Sequence, residues 1–217
     1  MQFFDIIIAL FASAAMAAPA PAPGPALVER DGPSGHEVQI RGFTYGGSGC
    51  PAGSVGSMLS DDLTTLTLIY DAFVAQAGKG IEPKERRKNC QANVKLHYPQ
   101  GWQYSVFKAD YRGHATLPPG ATGTCKATYY FSGSSQQVSK AQDFKGPYNA
   151  DYLKTDAFGI ESTVWSPCGA EGMLNVNSAV QLDPLASEQP ALLTSESTDL
   201  KFKQIHYLQW RKCNKKA

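Results

Sequence analysis

Leu174-Asn175-Val176-Asn177-Ser178-Ala179-Val180-Gln181-Leu182 decides the fold class. Leu174, Val176, Val180 and Leu182 fall on one side of an extended chain, and Asn175, Asn177 and Gln181 on the other. Side chains alternate across a strand, so this period of two makes a strand with one buried and one wet face. The same reading extends outward. Asn93 to Tyr98 puts Val94, Leu96 and Tyr98 on one side, and the run Leu63 to Tyr70 is dense in β-branched and aromatic residues that suit a pleated surface. Further strands are expected over residues 36–45, 103–116, 126–132, 160–165 and 199–210, with one helical turn around 83–87. Pro99-Gln100-Gly101, Pro118-Pro119-Gly120 and Gly146-Pro147 read as breaks between them. Many strands without crossover helices predict an all-β, single-domain antiparallel β-sandwich, jelly-roll-like, with a closed barrel as the alternative.

Composition fits that class. In 217 residues, 20 Lys+Arg face 19 Asp+Glu, and only 18% of residues are charged against 42% hydrophobic. That is too apolar for a disordered chain. A net charge of +1 lacks the basic excess of a nucleic-acid binder.

The N-terminus predicts export. The apolar run Ile6 to Ala12 is too short to span a bilayer, and Ala15-Met16-Ala17 offers a small-x-small cleavage site. Residues 1–17 are therefore expected to be a signal peptide. Residues 18–35, with Pro19, Pro21, Pro23, Pro25 and Pro33, read as an extended linker or pro-segment, and 36–217 as the secreted domain. No other stretch is long and apolar enough for a membrane helix, so the chain is not expected to span a membrane, and it has no N-x-[ST] sequon.

Cys50, Cys90, Cys125, Cys168 and Cys213 lack any C-x-x-C spacing, which argues against zinc or a dithiol redox motif. In an oxidising compartment they predict disulfides. Sequence alone leaves the pairing open, and the local pairs Cys50–Cys90 and Cys168–Cys213, one flanking each half of the domain, are the expected staples. Cys125 is then left as a free thiol, either buried in its strand or available for an intermolecular bridge.

No catalytic or metal-ligating set emerges. His36, His97, His114 and His206 fall in no H-E-x-x-H or H-x-H spacing. Gly46-Gly47-Ser48-Gly49 does not fit a nucleophile elbow and reads as a flexible loop. A glycosidase needs two facing carboxylates, for which Asp61, Asp62, Asp110, Asp156, Glu161 and Asp199 are available, but Asp61-Asp62 reads as a turn before the Leu63 strand. Aromatic rings are easier to assign. Trp102, Tyr104, Tyr111 and Trp165 are the candidate binding residues, with Trp210, Tyr129 and Tyr130 beside them, because such rings stack on flat partners such as sugars. The competing reading packs the tryptophans into the core beside the disulfides. Lys84-Glu85-Arg86-Arg87-Lys88 reads as a solvated basic loop, a dibasic processing site or a contact for an anionic surface.

Several strings carry a resemblance. Gly49-Cys50-Pro51-Ala52-Gly53-Ser54-Val55, Arg87-Lys88-Asn89-Cys90-Gln91, Pro99-Gln100-Gly101-Trp102, Asp110-Tyr111-Arg112-Gly113, Tyr129-Tyr130-Phe131-Ser132-Gly133 and Trp165-Ser166-Pro167-Cys168-Gly169 occur in order. Together they resemble the fungal secreted family known as domain of unknown function 4360, from about Gly49 to Cys213. The resemblance implies a small secreted β-rich protein of filamentous fungi, with family cysteines at Cys50, Cys90, Cys168 and Cys213. Cys125 departs from that pattern, which implies that it stays unpaired. The family transfers no reaction and no catalytic residue. The leading expectation is a secreted, non-enzymatic protein, extracellular or cell-wall associated. It would bind polysaccharide or a host surface, without cofactor or metal, as an effector or virulence factor. The alternative is a secreted carbohydrate-active enzyme.

Overall fold

From Gln39 to Lys212 the chain is a succession of antiparallel strands: β1 (Gln39–Gly46), β2 (Val55–Leu59), β3 (Thr65–Tyr70), β4 (Ala75–Ala77), β5 (Arg87–Leu117), β6 (Thr122–Phe131), β7 (Gln137–Lys145), β8 (Tyr148–Ala157), β9 (Gly169–Leu182), β10 (Ala191–Ser195) and β11 (Phe202–Lys212). The computed structural model describes residues 32–159, 163–183, 189–195 and 201–213. The segments expected to be a signal peptide (1–17) and, for the most part, a linker (18–35), with the carboxylates Glu161 and Asp199, lie outside the described residues. Short 3-10 turns occupy Gly35–Glu37 and Pro83–Arg86, the second where the helical turn is expected.

Strand β5 organises everything else. It is 31 residues long and runs straight through Pro99-Gln100-Gly101, where the sequence predicts a break. Pro99 has no N–H to give and Gly101 takes φ +80°, a conformation that favours glycine, so the strand is deflected there rather than ended. The pairing changes at the same place. Residues 87–97 pair with β9 and, from 91 on, with β1 on the other side, whereas 102–112 pair with β11 and 114–116 with β10, with β8 on the other side from 108 to 117. The first half of β5 therefore belongs to a sheet ordered β1-β5-β9-β6-β7. The second half belongs to one ordered β2-β3-β11-β5-β8, in which β4 and β10 prolong the rows of β3 and β11. Two antiparallel layers sharing one strand make the expected β-sandwich.

The apolar sides of the alternation meet between the layers. Val94, Leu96, Leu174, Val176, Val180, Ala127 and Phe131 from the first sheet face Leu66, Leu68, Val106, Ala109, Phe202 and Leu208 from the second, all at 5% exposure or less. Tyr98, Tyr104, Phe131 and Trp210 form one ring cluster with centroids 5.1–5.9 Å apart, and Tyr70, Phe73 and Phe202 another at 5.2–5.5 Å. Disulfides Cys50–Cys90 and Cys168–Cys213 join residues 40 and 45 positions apart. The second clamps the entry of β9 to the exit of β11.

Gly46 to Gly49 is not the flexible loop the sequence suggests. Its backbone lies against β5, where Gly49 N–H donates to the Asn89 carbonyl at 2.9 Å. A Cβ on Gly47 would sit 2.2 Å from the Asn89 carbonyl oxygen, and one on Gly49 would sit 2.3 Å from the Phe73 ring. Gly47 also takes φ +149°. Gly47→Ala is therefore expected to cost about 2 kcal/mol or more in urea unfolding, from overpacking and backbone strain together.

Candidate functional site

The outward sides of the first sheet's strands hold an unusual set of side chains. On β5 they are Asn89, Gln91 and Asn93, alternating with buried Cys90, Ala92 and Val94. On β9 they are Asn175, Asn177 and Ala179, and on β6 Lys126, Thr128 and Tyr130. Register lines them up across the sheet. Thr44, Asn93, Asn175, Tyr130 and Gln137 form one row, and Gln91, Asn177, Thr128 and Ser139 the next. The centre of the face is amide and hydroxyl, with one aromatic ring.

These groups hold one another in place. Gln91 donates to the Asn93 amide oxygen at 3.1 Å, and Asn93 donates to Thr44 Oγ1 at 3.2 Å. Thr128 and Ser139 share a hydroxyl hydrogen bond of 2.8 Å. Asn175, which the alternation puts on the wet side, is only 4% exposed. Its amide nitrogen reaches Ser132 Oγ at 3.0 Å and the carbonyls of Tyr130 and Met173 at 3.3 Å, which explains how an amide is tolerated there. Short side chains already ordered by their neighbours lose little entropy when a ligand arrives. An amide offers a donor and an acceptor side by side, which suits adjacent sugar hydroxyls, and the Tyr130 ring offers a stacking surface. Arg87, Lys126, Thr128, Tyr130, Ser139 and Asn177 surround a depression of about 430 Å³ in this face. A larger cleft of about 700 Å³ opens at the β1–β2 edge, where His36, Ser60 and Asp61 share the lining with Val38, Ile40 and Leu63 and no Trp, Tyr or Phe ring is present.

The aromatic candidates from the sequence are dispersed by the fold. Tyr104 and Tyr111 are corrected to core residues, at 0% and 3% exposure. Both point between the layers, where Tyr104 joins the ring cluster and the Tyr111 hydroxyl meets that of Tyr129 at 2.8 Å. Trp102 is half-buried against the core with Lys212 Nζ 5.7 Å from its ring. Trp165 is half-buried with the Arg211 guanidinium 3.7 Å above it. The Arg211 guanidinium covers one face of the Trp165 ring, where a sugar would stack. Trp210 donates its indole N–H to the Leu63 carbonyl at 3.0 Å. Cys125 is a free, buried cysteine, and burial pushes its thiol up to about 12, so it neither forms thiolate readily nor reaches another chain.

Among the described residues, the candidate carboxylates Asp62, Asp110 and Asp156 do not converge. Asp62 accepts from Ser60 and Thr64 in the β2–β3 turn, the role the sequence suggests. Asp110 and Asp156 lie on opposite sides of the second sheet, because Asp156 pairs with Ala109 and Thr155 with Asp110. Burial raises the Asp110 carboxyl, but hydrogen bonds from Thr155 and Tyr207 and the Lys108 and Arg112 cations outweigh it and hold it below the usual carboxylate range. Asp156 faces inward and accepts from Gln142. Between the layers, Gln204 Oε1 accepts from Tyr70 at 3.1 Å and Ser178 at 2.9 Å. Beside it His206 is fully buried, and neither ring nitrogen has a hydrogen-bond partner among the described residues.

With this geometry in hand, comparison with known proteins places the chain. The model of the family described as domain of unknown function (DUF4360) matches residues 36–213, and the chain belongs to that family. It is 51% identical over 181 residues to an uncharacterized secreted protein of Arthroderma benhamiae, covering 83% of this chain and 74% of that one. Among solved structures it is similar to TmCBM61, solved with β-1,4-galactotriose, at TM-score 0.31 and 7% identity over 83% of this chain and 94% of that one. It is also similar to the enzymatically active domain of bacteriophage CBA120 tailspike protein 4, at TM-score 0.23 and 12% identity over 84% of this chain and 21% of that one. Superposition at these levels says nothing about a shared site.

Proposed function

We propose that this member of the family is a secreted, non-catalytic protein that binds polysaccharide, at a cell wall or host surface, through the outer face of its first sheet. The observation that carries the reading is the ordered field of amides and hydroxyls on β5, β9 and β6 around the Tyr130 ring. Export is supported by the leader, the two disulfides and the secreted relative. The enzyme alternative gains nothing from Asp110 and Asp156, which lie on opposite sides of the second sheet and so cannot act together as acid and base.

Affinity electrophoresis of the intact protein through gels containing soluble β-glucan, mannan, polygalacturonate or glycol chitin tests this directly. Retention is expected on at least one polymer. Tyr130→Ala and Asn177→Ala are each expected to weaken it about tenfold, the loss of one stacked ring or one amide pairing. Trp165→Ala, away from this face, is expected to leave retention unchanged. Migration unaffected by every polymer would end the proposal.

A further inference from the structure

We infer that the depression in this face selects sugar units bearing a negative charge. The inference rests on the polysaccharide-binding reading of the same face and names the chemical class of its ligand. Two cations, Arg87 at the start of β5 and Lys126 in the middle of β6, line the depression, and no carboxylate does. Strand β9 runs between them. Arg87 pairs with Gln181, and Lys126 pairs with Ala179. The two residues are therefore two strand spacings across and two residues along the sheet from each other, about 12 Å, which both long side chains can bridge from opposite sides. Ala179, directly across from Lys126 and diagonal to Arg87, lines the depression with only a methyl group, and that small residue leaves the space open. An anionic group resting over Ala179 would be met by an ammonium and a guanidinium together, with Asn177, Thr128 and Ser139 on the adjoining row for its hydroxyls.

Neither cation is committed elsewhere. Arg87 and Lys126 are both exposed, and neither forms an ion pair with another described residue. The nearby acids are already occupied. Glu85 pairs with Lys88 at 2.6 Å, Glu82 with Lys84 at 2.6 Å, and Asp143 accepts from Thr124 at 2.8 Å beyond the rim of the depression. A depression built for a neutral polymer gains nothing from two cations that form no ion pair among the described residues. A carboxylate or phosphate on a sugar completes them, and Arg in particular pairs with either through two parallel hydrogen bonds.

The test uses the full chain and polymers that differ only in charge. Polygalacturonate is compared with the same polymer after carboxyl reduction, and phosphomannan with its dephosphorylated form. Retention on an acidic member is expected to exceed that on its neutral partner about tenfold and to fall as salt rises from about 0.05 M to about 0.5 M. Whether the uronate or the phosphate polymer binds identifies the source of the anion. Arg87→Gln with Lys126→Gln should remove the preference, with unchanged thermal unfolding, while Tyr130→Ala weakens both members of a pair. Equal retention on charged and neutral polymers, unaffected by the double variant, would overturn the inference and leave polysaccharide binding standing. No retention on any polymer would remove both. Preferential retention on polyuridylate would overturn the assignment to sugars.

Discussion

Between pH 7 and pH 4 the folded state is expected to lose about 3 kcal/mol of stability through His206 alone. Burial with no compensating hydrogen bond lowers this imidazole from its ordinary 6.5 to about 3. The direction follows from proton binding. Above pH 6.5 neither the folded nor the unfolded chain protonates it, and the residue contributes no pH dependence. Below pH 6.5 the unfolded chain takes up a proton that the folded chain refuses until about pH 3, so stability declines as pH falls across that window. The lowered carboxyls Asp110, Glu85 and Glu171 titrate only beneath the ordinary carboxylate range, so the upper part of the window belongs to histidine. The Tyr129 ring meets His206 edge-on at 5.4 Å and supplies no charge. His36, His97 and His114 are at least partly exposed. Urea unfolding at intervals from pH 7.5 to 4.5 should show the decline in the wild type and a flat response in His206→Phe. A flat wild-type response would show that the imidazole is not buried neutral.

Removing the Cys168–Cys213 bridge is expected to cost about 4 kcal/mol in the Cys168→Ser, Cys213→Ser double variant. The bridged residues are 45 positions apart, and closing a loop of that length removes about this much chain entropy from the unfolded state. The local consequences add to it. Cys213 N–H donates to the Gly101 carbonyl at 2.8 Å, at the deflection of β5, so the bridge also holds the end of β11 against the point where the two layers separate. Equilibrium unfolding of the double variant beside the oxidised wild type measures the difference. A change under about 1 kcal/mol would mean that the strand ladders alone hold β9 and β11 together.

The legible parts of the fold were those with a strong inward period. Val176, Val180 and Leu182 announce β9, and Leu66, Leu68 and Tyr70 announce β3. The edge strands β7 and β8 gave no such signal. Val138 and Phe144 are the only buried residues of β7, and Tyr152 and Asp156 the only ones of β8. An edge strand with so few inward contacts reads as loop until its partner is known. Pro99-Gln100-Gly101 misled for the opposite reason, because residues that end most strands here deflect one whose two halves are each locked by partners on both sides. At the candidate site, Tyr130 and the alternating amides Asn175 and Asn177 were visible, and Arg87 stood in the basic run. What no local pattern could reveal is that β5, β9 and β6 are adjacent, since β9 enters from some fifty residues downstream of β6. Tyr104 and Tyr111 illustrate the complementary limit. Ring type marks a residue as able to stack, but only strand parity relative to the neighbouring layer tells whether it does so on ligand or in the core.

The strand order also has a temporal side. In the first layer β9 is inserted between β5 and β6, and in the second β11 is inserted between β3 and β5. The central strand of each layer thus leaves the ribosome or the translocation channel after the two strands that flank it. Until residue 169 and beyond emerge, β5 and β6 present unpaired ladders on their future inner flanks, and β3 waits for a partner that begins at Phe202. Such a chain cannot complete either layer while it is being made. It matures only once its C-terminal third is free, which suits a protein that crosses a membrane unfolded and settles on the far side. It also makes β11 the least dispensable segment of the domain: a nonsense mutation just before Phe202 would discard the middle of the second layer and not its margin.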